Sequence, residues 1–166
     1  MKINPAKKIE IPTERLVLKV LDSSYAGLIL EYYEKNRSFF AESMARLNEN
    51  FYTVDFQINR CWKEYELMQQ QRHMRFYIFQ SEDVGFTKIS GDITISDILW
   101  GSFLTCSIGY KIDNDFIRKG YATEAVTAAV NYIFNELELE RIVAHIKPDN
   151  IPSIKMIEKI GFREEG

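Results

Sequence analysis

The chain has 166 residues, 46% hydrophobic and 27% charged, with a formal charge of −3; that is an ordinary globular balance, long enough to bury a core without staples. Such a charge gives no global attraction for nucleic acid or an anionic membrane, and no stretch approaches the ~18 apolar residues of a membrane span. Two cysteines (Cys61, Cys106) and two isolated histidines (His73, His145) make neither a disulfide framework nor a metal-ligand cluster, so two buried free thiols and no metal are expected.

Residues 1–12 read as a lead-in without a secretory h-region, and a cytoplasmic protein of one domain over 1–166 is expected. Residues 15–21 (Arg-Leu-Val-Leu-Lys-Val-Leu) alternate as a strand. Asp22-Ser23-Ser24 offers N-caps for a helix over 25–35 with Leu28, Ile29, Tyr32 and Tyr33 on one face. Residues 36–52 have weaker periodicity. Thr53 is placed to cap a helix over 54–71, whose stripe is Val54, Ile58, Cys61, Tyr65 and Met68. Three strands are expected at 75–80, 86–96 and 103–112, joined as antiparallel hairpins. A helix from Tyr121 to Leu137 follows, with Val126, Ala129, Val130, Ile133 and Leu137 as one buried face. A strand at 141–147 and a helix at 152–160 complete the order β-α-α-β-β-β-α-β-α. Pro152 suits the first turn of that helix, and Gly161-Phe162 suits its close. This is an α+β chain: a mixed, mainly antiparallel sheet flanked by helices, with one late β-α-β crossover.

The turn before the 121–137 helix is the informative segment. Arg118-Lys119-Gly120-Tyr121-Ala122-Thr123 joins a strand to a helix N-terminus, where unpaired amides and the positive dipole end attract an anion. Gly120 removes a Cβ from the approach, and Arg118 and Lys119 add two cations. The spacing fits neither a Walker A loop nor the Rossmann fingerprint. On the residues alone, a phosphate seat and a plain strand-to-helix turn both stand.

Residues 108–166 resemble the Gcn5-related N-acetyltransferase superfamily, whose acetyl-CoA loop reads Gln/Arg-x-x-Gly-x-Gly/Ala; here it is Ile117-Arg118-Lys119-Gly120-Tyr121-Ala122. Asn150-x-x-Ser153 and Glu158-Lys159-Ile160-Gly161-Phe162-x-x-Glu165-Gly166 are similar to the branch that acetylates N-terminal alanines of ribosomal proteins. So are Thr13-Glu14-Arg15-Leu16, Tyr32-Tyr33-x-x-Asn36-Arg37-x-Phe39 and Gly101-Ser102-Phe103-x-x-Cys106-x-x-Gly109-Tyr110. The resemblance implies acetyl-CoA as co-substrate. Its diphosphate would rest on the amides around Arg118, Lys119, Gly120, Tyr121, Ala122 and Thr123. Its pantetheine arm would pair with the main chain of Tyr110 and Ile112, and Asn150 and Ser153 would line the thioester end. Three departures stand out, one being Arg118 at a position that is often Gly. Ile117 takes the usual Gln/Arg position, and Ile157 stands where many members place the Tyr that protonates the leaving thiolate, which leaves Ser153 as the nearest hydroxyl.

The implied acceptor is a primary amine. An α-amino group of pKa ~7.8 is ~10–15% neutral at pH 7, whereas a lysine amine of pKa ~10.4 is below ~0.1% neutral. A site without a strong base therefore suits a protein N-terminus better than lysine. Glu42, Glu82 and Asp92 are the carboxylates within consideration, and none stands out as a base. Phe39, Phe40, Phe51, Tyr52 and Phe56 form either packing or the wall of an acceptor groove. A small amine as acceptor and a non-catalytic acyl-CoA-binding domain remain as alternatives. Members of the branch continue past the position of Gly166 into a final hairpin; either the chain is cut short here or a neighbouring subunit fills the gap, and an exposed sheet edge there would invite dimerisation.

Overall fold

The computed structural model describes residues 2–166. Six strands form one sheet in the order β1-β2-β3-β4-β5-β6, which is also chain order. They are β1 (Glu10–Pro12), β2 (Leu16–Lys19), β3 (Met74–Gln80), β4 (Gly91–Leu99), β5 (Thr105–Ile112) and β6 (Arg141–Ala144). Neighbours are antiparallel from β1 through β5, while β5 and β6 run parallel. A parallel pair needs a crossover, and helix α4 (Tyr121–Asn135) supplies it. Helices α1 (Ala26–Lys35), α2 (Arg37–Phe40) and α3 (Val54–Gln69) lie between β2 and β3 in sequence, and α5 (Ile151–Ile160) follows β6. The expected α+β architecture is the one found.

Six successive residues of β3, Met74 to Phe79, are buried, because the pleat sends alternate side chains into two separate cores. Met74, Phe76 and Ile78 pack with Ile93, Ile95 and the Val126, Ala129 and Ile133 face of α4. Tyr77 and Phe79 pack with Ile29, Tyr32, Tyr33, Phe40 and Phe51. Helices thus cover both faces. The α4 stripe lies where its spacing places it, with Leu137 buried just past the helix end. Gly161 (φ 119) closes α5 in the left-handed region, its N–H donating to Glu158 and that of Phe162 to Ile157. This is a Schellman close.

Several boundaries differ from the sequence reading. The lead-in contains β1, an edge strand, and Ile3 is buried with its backbone held by the Gln71 side chain. Strand β4 starts at Gly91 rather than 86, because the Asp83 carboxylate accepts from the amides of Thr87 and Lys88 and curls that segment. It runs on to Leu99 through an irregularity beyond Ser96. Strand β5 starts at Thr105; Leu104 has φ 42 and Phe103 is exposed. On α3, Val54 faces solvent and Gln57 takes the inner position, donating to the Phe51 carbonyl at 2.7 Å. Cys61 and Cys106 are both free and buried. Strand β6 stops at Ala144, so His145 lies beyond it and is exposed. That early stop leaves the end of β5 open on one side.

Candidate active site

The β5–β6 ladder runs from Thr105↔Arg141 to Ile108↔Ala144, yet β5 continues to Ile112. Over 109–112 its β6-side edge is therefore uncovered, while its other edge stays paired to β4 through Gly91↔Ile112. Backbone groups on such an edge await a partner. Tyr110 and Ile112, half-buried, lie in this stretch.

Beyond a short 3₁₀ turn at Asn114–Phe116, the chain enters the basic turn. Arg118 (φ 59) and Gly120 (φ 77) are left-handed, and Lys119 between them is not. In a nest, residues alternating αR and αL turn successive amides toward one concave, anion-binding side; Arg118 and Gly120 supply two left-handed positions here. Gly120 is the N-terminal flank of α4 with no side-chain cap, so the amides of Tyr121, Ala122 and Thr123 add unpaired donors and the dipole. Arg118 and Lys119 are exposed, and neither forms an ion pair among the described residues. A non-glycine residue held at positive φ stores strain, as Arg118 does here. A Cβ on Gly120 would lie 3.2 Å from Arg15 Nη2. An anion placed here would meet main-chain amides, the positive end of a helix dipole and two cations.

Helix α5 approaches the open part of β5 from the α4 side. Asn150 caps it, its Oδ1 accepting from the Ser153 amide at 3.3 Å. The Ser153 hydroxyl is hydrogen-bonded to the Tyr110 hydroxyl. Burial raises the Tyr110 phenol above its ordinary value although Ser153 acts to lower it. Tyr110 therefore stays protonated at neutral pH. Ile157, four residues on, is buried in the core. The sequence reading used only Tyr110's main chain; its side chain joins Ser153 because the pleat points it at α5.

The same pleat turns Lys111 to the opposite face, toward α1. Its Nζ lies 3.3 Å from Asp92 Oδ1 and 5.9 Å from the centre of the Tyr33 ring. Asp92 also accepts from Arg75 Nη1 at 2.8 Å and from the Tyr32 hydroxyl at 3.0 Å. Burial pushes its carboxyl up, but Lys111, Arg75 and Arg60 hold it below the usual range. Fully buried and committed to cations, Asp92 is not a general base. Glu42 and Glu82 are exposed. Beside Tyr33 opens a cavity of ≈ 320 Å³ lined by Arg37, Phe40, Met44, Arg46 and Tyr52. Of the five aromatic residues noted in the sequence, Phe40 and Phe51 are core, Phe39 packs half-buried against them, Phe56 is exposed, and Phe40 and Tyr52 also wall this cavity.

Two polar clasps hold the turn, and neither was legible as such. Asn36, buried, donates Nδ2 to Asp113 Oδ2 at 2.8 Å and accepts from the Asn114 amide, while Lys35 Nζ meets both Asp113 oxygens. This ties the end of α1 to the end of β5. On the other side Arg15 and Thr13 grip Glu124 of α4. Thr13, Arg15 and Asn36 sit in motifs whose similarity was visible but whose task was not. Among the described residues no group of three or more His, Cys, Asp or Glu is arranged to hold a metal, and no helix is long and apolar enough to cross a membrane.

A model of the acetyltransferase (GNAT) domain matches residues 15–163. A probable N-acetyltransferase, YjcK of Bacillus subtilis, is 35% identical over 91% of this chain and 82% of its own length. The [ribosomal protein uS5]-alanine N-acetyltransferase of Escherichia coli is 29% identical over 96% of this chain and 80% of its own. The crystal structure of a ribosomal-protein-S5-alanine acetyltransferase from Vibrio fischeri superposes with a TM-score of 0.88 at 26% identity, covering 95% and 85% of the two chains. The chain belongs to the GNAT acetyltransferase family. It is an N-acetyltransferase with relatives among the RimJ/RimL ribosomal-protein-alanine enzymes, so the non-catalytic alternative is set aside.

The charges behind the Tyr33 cavity also set acid stability. Glu64 accepts from Arg75 Nε at 2.8 Å. Burial pushes its carboxyl up, and Arg75, His73 and Arg60 override this to hold it at about 2, against 4.5 ordinarily. A depressed folded value means the contribution is complete above pH 4.5 and is lost as pH falls toward 2. Glu64→Gln is expected to flatten the acid limb of the stability curve by on the order of 3 kcal/mol. Urea unfolding of both proteins from neutral to acid pH reads this; parallel curves would contradict it.

Proposed function

We propose that the chain moves an acetyl group from acetyl-CoA to the α-amine of a protein N-terminus beginning with Ala or Ser, a ribosomal protein being the first candidate, and that it works in the cytoplasm. The nest at 118–120, continuous with the first-turn amides of α4, is the observation that carries the cofactor reading. Arg118, Lys119, Gly120, Tyr121, Ala122 and Thr123 hold the diphosphate, mainly through main-chain amides. The free edge of Tyr110 and Ile112 takes the pantetheine amides as an added strand. Asn150 and Ser153 face the thioester end.

Acetyl-CoA supplies an activated acyl thioester, whose C–S bond breaks as the N–C bond forms, with one proton leaving the amine and one reaching sulfur. Ser153 holds the proton nearest that end, and Tyr110 backs it through their shared hydrogen bond. A thiol of pKa ~8.5 needs little help to leave, so one hydroxyl donor suffices. On the acceptor side, Asp92 is sealed by Arg75 and Lys111. The absence of a poised carboxylate there favours an amine that is partly neutral on its own. The relatives' names supply the ribosomal candidate. The ≈ 320 Å³ cavity is large enough for a small amine, and of the two arginines in its wall Arg37 is paired with Glu49, which leaves Arg46 as the charge disfavouring a polycation such as spermidine.

Labelled acetyl-CoA with short peptides differing at the first residue tests the acceptor. Peptides starting with Ala or Ser are expected to be acetylated at the α-amine, spermidine and internal lysine at least ~100-fold more slowly, as their neutral fractions imply. Faster turnover of spermidine would overturn the assignment.

Ser153→Ala is expected to lower kcat about 10–100-fold with the KM for acetyl-CoA little changed, and Tyr110→Phe to lower it less. An unchanged kcat in Ser153→Ala would remove the hydroxyl from the mechanism.

Gly120→Val forces a β-branched residue to positive φ, at about 1–2 kcal/mol or more, and drives its Cβ against Arg15. Calorimetry is expected to show no CoA binding. Wild-type affinity would refute the seat.

A further inference from the structure

Arg15 precedes β2 and meets the basic turn from its outer side. Its Nε donates to Glu124 Oε2 at 2.7 Å, its Nη1 to the Lys119 carbonyl at 2.8 Å, and its own amide to Glu124 Oε1 at 2.7 Å. The guanidinium stacks 4.8 Å over the ring of Tyr121, the first residue of α4, whose hydroxyl accepts from Gln80 Nε2. Thr13 adds a 2.6 Å hydrogen bond to the same Glu124 carboxylate. One planar fork thus spans the turn from Lys119 to Glu124.

The contact with the Lys119 carbonyl has a directional consequence. In a trans peptide the carbonyl of one residue and the N–H of the next point oppositely. Holding the Lys119 C=O on Arg15 therefore holds the Gly120 N–H on the far side of that peptide. Glu124 matters for a second reason. It is an acidic residue in the first turn of α4, where its charge would compete with an incoming anion. Arg15 and Thr13 take up both of its oxygens and neutralise it.

We infer that Arg15 is a positioning residue for the diphosphate: it pins the Lys119–Gly120 peptide so that the Gly120 amide faces the anion, and it screens that anion from Glu124. The inference rests on the cofactor seat proposed above. A lysine cannot replace it, because a single ammonium lacks the fork that reaches the Glu124 carboxylate and the Lys119 carbonyl together. A mere staple between β2 and α4 would treat all acyl donors alike. A positioning residue penalises only donors that carry the diphosphate.

The test compares CoA and 3′-dephospho-CoA binding by calorimetry, and turnover of acetyl-CoA and acetyl-pantetheine, in wild type, Arg15→Ala and Arg15→Lys. Arg15→Ala is expected to weaken both CoA and dephospho-CoA about tenfold, the size of one charge-assisted hydrogen bond. It should raise the KM for acetyl-CoA to match, leave kcat within about twofold, and leave kcat/KM for acetyl-pantetheine unchanged. Arg15→Lys, which keeps the charge, is expected to show the same selective loss at smaller size, and it decides the matter if Arg15→Ala does not fold. Wild-type CoA affinity in the variants, or equal losses with acetyl-CoA and acetyl-pantetheine, would overturn the role of Arg15. If the wild type itself used acetyl-pantetheine as well as acetyl-CoA, the diphosphate seat would fall first, and the role of Arg15 with it.

Discussion

Everything functional here follows from two parallel strands that part company. β6 leaves β5 after Ala144, and β5 carries on for four more residues with one edge bare, Gly109 to Ile112. Inside a sheet this would be a defect, because main-chain donors and acceptors left unpaired are costly. At the mouth of a β-α-β crossover it becomes a template for an extended ligand. The crossover helix that makes parallel pairing feasible also brings its own N-terminus to the end of that edge. On the proposed reading, the extended arm and the anion would meet neighbouring parts of one supersecondary unit.

A turn with two left-handed residues does not hold itself in shape. The chain grips it from both ends with charged and amide side chains drawn from distant segments, Arg15 and Thr13 on one side and Lys35 and Asn36 on the other. Ion pairs of this kind contribute little net stability. They restrict geometry, which suits the proposed seat, where donors would have to meet phosphate oxygens within tenths of an ångström. The Asn36–Asp113 clasp also joins α1, which carries Tyr33 of the cavity wall, to the strand proposed to hold the cofactor. The two halves of the site are braced against each other.

The pleat of β5 divides the labour. Tyr110 faces α5 and Ser153; Lys111 faces α1 and Asp92. On the second face the carboxylates are spent on structure: Asp92 and Glu64 are held ionised by Arg75 and its neighbours. Acid–base demand on the enzyme is correspondingly light. Its proposed chemistry leans on an amine already partly neutral and a thiolate that leaves readily.

The sequence by itself determined the order of elements, the α4 stripe from Val126 to Leu137, the α5 close at Gly161, the basic turn and the family resemblance. Each of these is written in short-range periodicity or in contiguous motif residues. It misplaced Val54 and the start of β4, because a buried Gln57 and the Asp83 side-chain turn override local pattern with contacts that alternation does not encode. Only the tertiary structure decided that β6 stops at Ala144, that Tyr110 rather than any residue of α5 partners Ser153, and that Arg15 reaches Lys119 across 104 positions. These depend on where two strands diverge and on which way a pleat points. Such features are set by packing across the whole sheet, and no local run of residues carries them.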